Sequence, residues 1–232
     1  MTQAMPNARR CGSRVAHQLA MTGWIAIILV GLCILPIAEA RAQGRFHEAI
    51  IPVLGITMEK DPTGQVVYLV LSFEKRGDDG GLAVLFKSTP GRFSRMTQTA
   101  IEEAIYRTAH ALGVSPHSWT VMLSLPYPGV TIYGESCTAM VALSVAVLAR
   151  GGDIPADRVI TGTVTPDGHI GPVGAVPLKL AAANEAQLRQ VLVPDEQDGT
   201  EADWETPFLM QVSPIGSVAQ AYRAFTDLQS IP

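Results

Sequence analysis

The chain has 232 residues, 47% of them hydrophobic and 16% charged, with a formal net charge of −4. That balance excludes a disordered polyelectrolyte and suits one globular domain with an appendage. Setting aside residues 1–42 removes four Arg and one Glu, which leaves 13 basic and 20 acidic side chains, a net charge of −7 with no footprint for nucleic acid.

Residues 21–38, MTGWIAIILVGLCILPIA, hold no charge, and Arg9, Arg10 and Arg14 precede them. Small residues follow, with Ala40-Arg41-Ala42 ahead of Gln43 in an A-x-A pattern and Ala38-Glu39-Ala40 as a second option. This is the layout of a signal peptide or, left uncleaved, of a signal anchor, since about 18 apolar residues just reach the lower limit for spanning a bilayer. In both cases the arginines hold the N-terminus in the cytoplasm, and the globular part is expected outside it, secreted or membrane-anchored in the periplasm or cell envelope. Cys11 and Cys33 lie in this segment, so Cys137 is alone in residues 43–232 and no internal disulfide is expected.

Beyond the leader, residues 48–57 and 65–73 read as strands rich in β-branched residues, joined by a turn at Asp61-Pro62-Thr63-Gly64. A third strand spans 82–89. Residues 97–112 predict an amphipathic helix, with Ile101, Ala104, Ile105, Thr108 and Leu112 on one face at 3- and 4-residue steps. A strand at 119–126 leads through a loop, 127–135, to an Ala- and Val-rich helix that ends at Gly151-Gly152. Residues 158–176 read as a hairpin: Val159, Thr161, Thr163 and Thr165 alternate, and Pro166-Asp167-Gly168 turns. Pro177 opens a helix, strands follow at 190–194 and 208–215, and a helix covers 217–229. The alternation predicts a single α/β domain over 43–232 with a mixed sheet and packed helices.

Three positions carry candidate chemistry: Ser136, Thr161 and Lys179. Ser136 falls at the start of the Ala-rich helix, after the Gly134 loop. Unpaired N–H groups there can receive an oxyanion. A serine hydroxyl needs a base, and Lys179, on a largely apolar helix, serves if burial keeps it neutral. The bland alternatives are an N-cap serine, a surface lysine and a packing threonine, and residue types alone leave both readings open. His110, His117 and His169 read as solvated, and no residues have metal-ligand spacing. There is no G-x-S-x-G elbow and no phosphate loop of the type G-x-x-x-x-G-K-[ST].

With those residues in hand, residues 119–195 resemble the proteolytic domain of the Lon family of serine proteases. In that family a G-x-S motif opens a helix and is followed by a run of the form TGE-(I/V)-T-x-x-G-x-(V/I)-x-P-(I/V)-GG-x-x-x-K. The corresponding run here is TGTVTPDGHIGPVGAVPLK, residues 161–179. The resemblance implies Ser136 as nucleophile, Lys179 as its base and Thr161 as the residue that orients the lysine. Gly134 and the backbone N–H groups near Ser136 and Cys137 would support them. More loosely, the likeness extends over residues 50–230. It implies a serine endopeptidase with a Ser–Lys dyad and no cofactor, acting on peptides or unfolded proteins and assembled as a homo-oligomer, a ring of six. The family's ATPase and substrate-collecting domains have no counterpart in these 232 residues, so ATP-driven unfolding is not expected.

The chain also departs from the family. Tyr133 stands where an acidic residue is found three before the serine, Glu135-Ser136-Cys137-Thr138 replaces Pro-Ser-Ala-Gly, and Thr163 replaces the Glu of TGE. Glu135 brings a negative charge beside the oxyanion site. These departures keep a rival open, a catalytically degenerate Lon-like domain that binds peptides or serves as an assembly module in the cell envelope. A membrane-anchored partner protein, held through residues 21–38, is a third reading. Cys137 as nucleophile is a fourth, with Lys179 supplying the charge that would lower its pKa.

Overall fold

The computed structural model describes residues 46–196 and 209–227. The apolar segment 21–38 and the boundary after residue 42 lie outside the described residues. Strands β1 (Phe46–Ile56) and β2 (Gly64–Lys75) pair antiparallel from Phe46↔Glu74 to Ile56↔Gly64. Their branched and aromatic side chains suit a pleated, half-buried surface. On the other edge of β2 lies β5 (Trp119–Ser124), antiparallel, and β3 (Ala83–Phe86) runs parallel to β5. The order β1-β2-β5-β3 is the mixed sheet that the sequence predicts.

A parallel step requires a crossover, here made by β4 (Arg92–Phe93) and helix α1 (Arg95–Ala111). Ser94 caps α1 by accepting the Thr97 N–H at 3.2 Å. The buried stripe Ile101, Ala104, Ile105 and Thr108 is the face read from the sequence. The segment 127–135, read as a loop, contains a short strand, β6 (Thr131–Ile132), which pairs parallel with β4. Two residues are too few for a periodicity to show.

Helix α2 (Thr138–Ala149) is buried from Thr138 to Leu148, as a helix apolar on every side must be. It packs against α1, β1 and β2. Its N-cap is Cys137, so Ser136 stands in the turn ahead of the helix and not at its opening position, a correction to the sequence reading. The hairpin read over 158–176 is also shorter than expected. Its first part, β7 (Arg158–Ile160), joins a second, all-parallel sheet with β10 (Gln190–Pro194) and β11 (Gln211–Ile215), in the order β11-β10-β7. Only β8 (Thr163–Val164) and β9 (Ile170–Gly171) form the hairpin. An extended chain can change sheets without losing its alternation, which is why the break at Thr161-Gly162 left no periodic trace.

Helix α3 (Val176–Glu185), with Pro177 in its first turn, carries the chain back to β10. The last strand begins at Gln211, and helix α4 (Val218–Thr226) closes the described part; residues 208, 228 and 229 of the expected elements lie outside it. On α4, Val218, Ala221, Tyr222 and Phe225 bury one face at i, i+3, i+4 and i+7. No helix among the described residues is long and apolar enough to cross a membrane.

The packed helices α1 and α2 hold two buried hydroxyls, Thr108 Oγ1 and Ser144 Oγ, with no hydrogen-bond partner among the described residues. A buried polar group left unpaired carries its full desolvation penalty. Thr108→Val and Ser144→Ala are therefore expected to stabilise the fold by about 1 kcal/mol each. Urea unfolding of both variants beside the wild type checks this; unchanged or lower midpoints would count against it.

Candidate active site

The serine turn is fastened at both ends, by a side-chain hydroxyl on one side and by backbone hydrogen bonds on the other. On its N-terminal side, Thr97 of α1 is fully buried. Its hydroxyl donates to the carbonyls of Ile132 at 3.2 Å and Gly134 at 3.0 Å. Gly134 has φ +85°, a left-handed conformation that glycine adopts without strain. On the C-terminal side, the Gly162 N–H donates to the Ser136 carbonyl at 2.9 Å, and the Gly162 carbonyl accepts from the Ala139 N–H at 3.2 Å. This reciprocal clasp joins the serine turn to the kink between β7 and β8. A Cβ on Gly162 would lie 2.6 Å from Ile170 Cγ2, so the kink has no room for a side chain.

Thr161, fully buried beside the clasp, donates its N–H to the Leu192 carbonyl at 3.0 Å. Its hydroxyl donates to the Ser136 carbonyl in a long contact of 3.4 Å. Thr161 thus touches the serine's backbone. The Thr138 N–H is taken by the Glu135 carbonyl at 2.9 Å, so the first two donors of α2, Thr138 and Ala139, are already engaged. The N–H groups of Ser136 and Cys137 donate to no backbone carbonyl among the described residues. Any oxyanion would therefore find its donors ahead of the helix.

A cleft of about 560 Å³ opens at this turn. It brings together Ser136, Cys137, Gly134 and Lys179; Thr161 lies behind the lining. One wall is the C-terminal half of β1, from Val53 to Ile56, and another is the 172–175 loop that enters α3. Lys179 is 3% exposed, in the first turns of α3, and its N–H donates to the Ala175 carbonyl at 3.1 Å. Ala175 is left-handed at φ 58°, ψ 37°, a conformation that costs a non-glycine residue about 1–2 kcal/mol. It occupies the position of the second glycine in the family run GG-x-x-x-K. That substitution was the available sequence signal for a special residue here. Thr97 gave a weaker one, a second hydroxyl three residues after the capping Ser94.

Burial pushes the Cys137 thiol up to about 11, partly offset by a backbone N–H and by the charge of Lys179. At pH 8 only about one thiol in a thousand would then be ionised. A buried thiol held in this form is a poor nucleophile. Among the described residues no group of His, Cys, Asp and Glu has the arrangement of a metal site.

Residues 97–207 match the family model described as Lon protease (S16) C-terminal proteolytic domain. Similar chains include the archaeal Lon protease of Methanothermobacter thermautotrophicus, 28% identical over 113 residues, which are 47% of this chain and 17% of that one. Another is the Lon protease of Mycolicibacterium smegmatis, 30% identical over 135 residues, 56% of this chain and 17% of that one. The chain thus matches about a sixth of the length of these relatives. Ser136, Thr161 and Lys179 all fall inside the matched stretch, which is similar to a Lon proteolytic domain.

Two outcomes are expected at this site. In the folded protein, alkylation near pH 8 followed by mass mapping should find Cys137 unmodified, with labelling rising only as the pH approaches 11 or the chain unfolds. Gly162→Ala should lower stability by about 1–3 kcal/mol through overpacking and expose Cys137 to the reagent by loosening the clasp. Fast labelling of the native wild type would contradict the burial argument.

Proposed function

We propose that this chain is a serine endopeptidase in which Ser136 attacks the peptide carbonyl and Lys179 is its general base. The observation that carries the reading is the convergence of Ser136 and a lysine 3% exposed on one cleft. Desolvation penalises the ammonium more than the neutral amine, and the neutral amine is the form that can accept a proton. The match to Lon proteolytic domains supports the reaction class.

In this mechanism Lys179 Nζ takes the proton from Ser136 Oγ as the new C–O bond forms. The carbonyl oxygen becomes an oxyanion that the N–H groups of Ser136 and Cys137 stabilise. The lysine ammonium then passes its proton to the departing amine as the C–N bond breaks. Water, deprotonated by the neutral lysine, attacks the acyl ester and restores the serine. Thr161 is a positioning residue, holding the serine's carbonyl and, by family resemblance, the lysine. Gly134 fixes the approach of the turn.

The substrate is an extended segment of a peptide or of an already unfolded protein. β1 is the outer strand of its sheet among the described strands, and its end lines the cleft, an arrangement that suits a chain laid along a sheet edge. A setting outside the cytoplasm, reached through residues 1–42 and either secreted or held at the membrane by 21–38, belongs to the same proposal. So does assembly into a homo-oligomeric ring.

The test is cleavage of casein and a fluorogenic peptide library by the full chain. Ser136→Ala should lower kcat/KM at least about 10⁴-fold. Lys179→Met, close in volume, should lower it by about 10²–10⁴-fold. Wild-type activity should rise with pH as the lysine loses its proton and then level off. Folded wild type and variants equally inactive from about pH 7 to about pH 10, a range reaching into the lysine region, would overturn the peptidase reading in favour of a peptide-binding or assembly module.

A further inference from the structure

The proposed mechanism leaves two residues of the serine turn without a task. Among the described residues lining the cleft, Glu135 and Lys179 are the charged ones, Lys179 buried and Glu135 exposed. The Glu135 carboxylate makes no ion pair or hydrogen bond among the described residues. Glu135 also borders an adjoining depression of about 470 Å³, which Glu103 and Arg107 line as well. Those two are paired at 2.6 Å, so Glu135 is the unbalanced charge where the two hollows meet. Two residues before it, Tyr133 is 62% exposed and lines the same cleft. Met58, Val130 and Ile132 supply an apolar wall.

A carboxylate, an exposed aromatic ring and an aliphatic wall are the three elements that recognise a long basic side chain. The wall covers its methylenes, the ring faces its cation and the carboxylate neutralises it. Guanidinium is planar and weakly hydrated and stacks on aromatic faces, so arginine suits the set better than lysine.

We propose that Tyr133 and Glu135 form a subsite for a basic side chain, arginine above lysine, on a peptide bound beside Ser136. The peptide substrate class rests on the endopeptidase reading; the charge preference does not require turnover. Glu135 then serves selectivity, at a position where it also opposes an oxyanion.

The test separates binding from cleavage. Full-length Ser136→Ala is titrated with fluorescent peptides identical except for arginine, lysine, citrulline, alanine or glutamate at one position, scanned along the peptide. At one position arginine should bind about two- to fivefold more tightly than citrulline, with the difference shrinking as salt is raised. Glu135→Gln, in the same background, should bring arginine and citrulline to equal Kd, Glu135→Lys should favour glutamate, and Tyr133→Ala should narrow the gap between arginine and lysine. Arginine and citrulline binding alike at every position, or an arginine preference surviving Glu135→Gln, overturns the subsite. A preference for arginine in binding together with no cleavage by the wild type leaves the subsite standing and removes the endopeptidase reading.

Discussion

The site depends on the pair of hydrogen bonds that ties the serine turn to Gly162. The Gly162 N–H holds the Ser136 carbonyl, its carbonyl holds the Ala139 N–H, and no side chain fits at that point. Through this clasp the end of the sheet β11-β10-β7 and the beginning of α2 share one piece of backbone. Thr161, adjacent to it, reaches Leu192 of the sheet on one side and the Ser136 carbonyl on the other. The serine is therefore positioned by main-chain groups from two layers of the fold, while its own N–H and that of Cys137 donate to no backbone carbonyl among the described residues. A turn held in this way is preorganised before any ligand arrives.

Burial divides the chemistry among neighbouring groups. Cys137, the residue after the serine, is 4% exposed, and its thiol is held in the protonated form. Lys179 is buried in the lining of the same cleft, whereas Glu135 and Tyr133 are exposed to solvent. Desolvation thus acts on the interior groups and leaves the rim charged and wet. The strained Ala175 sits between these zones, at the entry of the helix that carries Lys179. Left-handed backbone at a non-glycine residue persists only where the surroundings over-determine it. The loop 172–175 is such a place, bounded by the hairpin β8–β9 and by Pro177.

Much of this was legible in the sequence, and for identifiable reasons. The stripe on α1 and the Pro177 start of α3 appeared as periodicity and as local chemistry, and α1 and the start of α3 lie within two residues of where they were expected. The triple of Ser136, Thr161 and Lys179 emerged from a motif whose spacing needs no gap. What escaped were features without a periodic signal. The strand β6 has two residues, the change of sheet at Thr161-Gly162 preserves alternation, and the first helical residue after Ser136 is decided by hydrogen bonds from a segment 23 to 26 residues further on. Thr97 was read as part of a helix because its contacts to Ile132 and Gly134 are made across 35 and 37 residues.

Helix α2 has one more consequence. With every residue from Thr138 to Leu148 buried, the segment behind the serine has no face on which mutations could accumulate unnoticed. Any change there alters core volume, and cores accept chiefly volume-matched exchanges. Tyr133 and Glu135 border solvent, where substitutions are tolerated. Over evolutionary time the two sides of the serine would drift at different speeds. The apparatus that places the hydroxyl would be nearly frozen, while the rim that meets a ligand could be rewritten a residue at a time. Diversity among descendants of such a chain would then gather on the N-terminal side of Ser136.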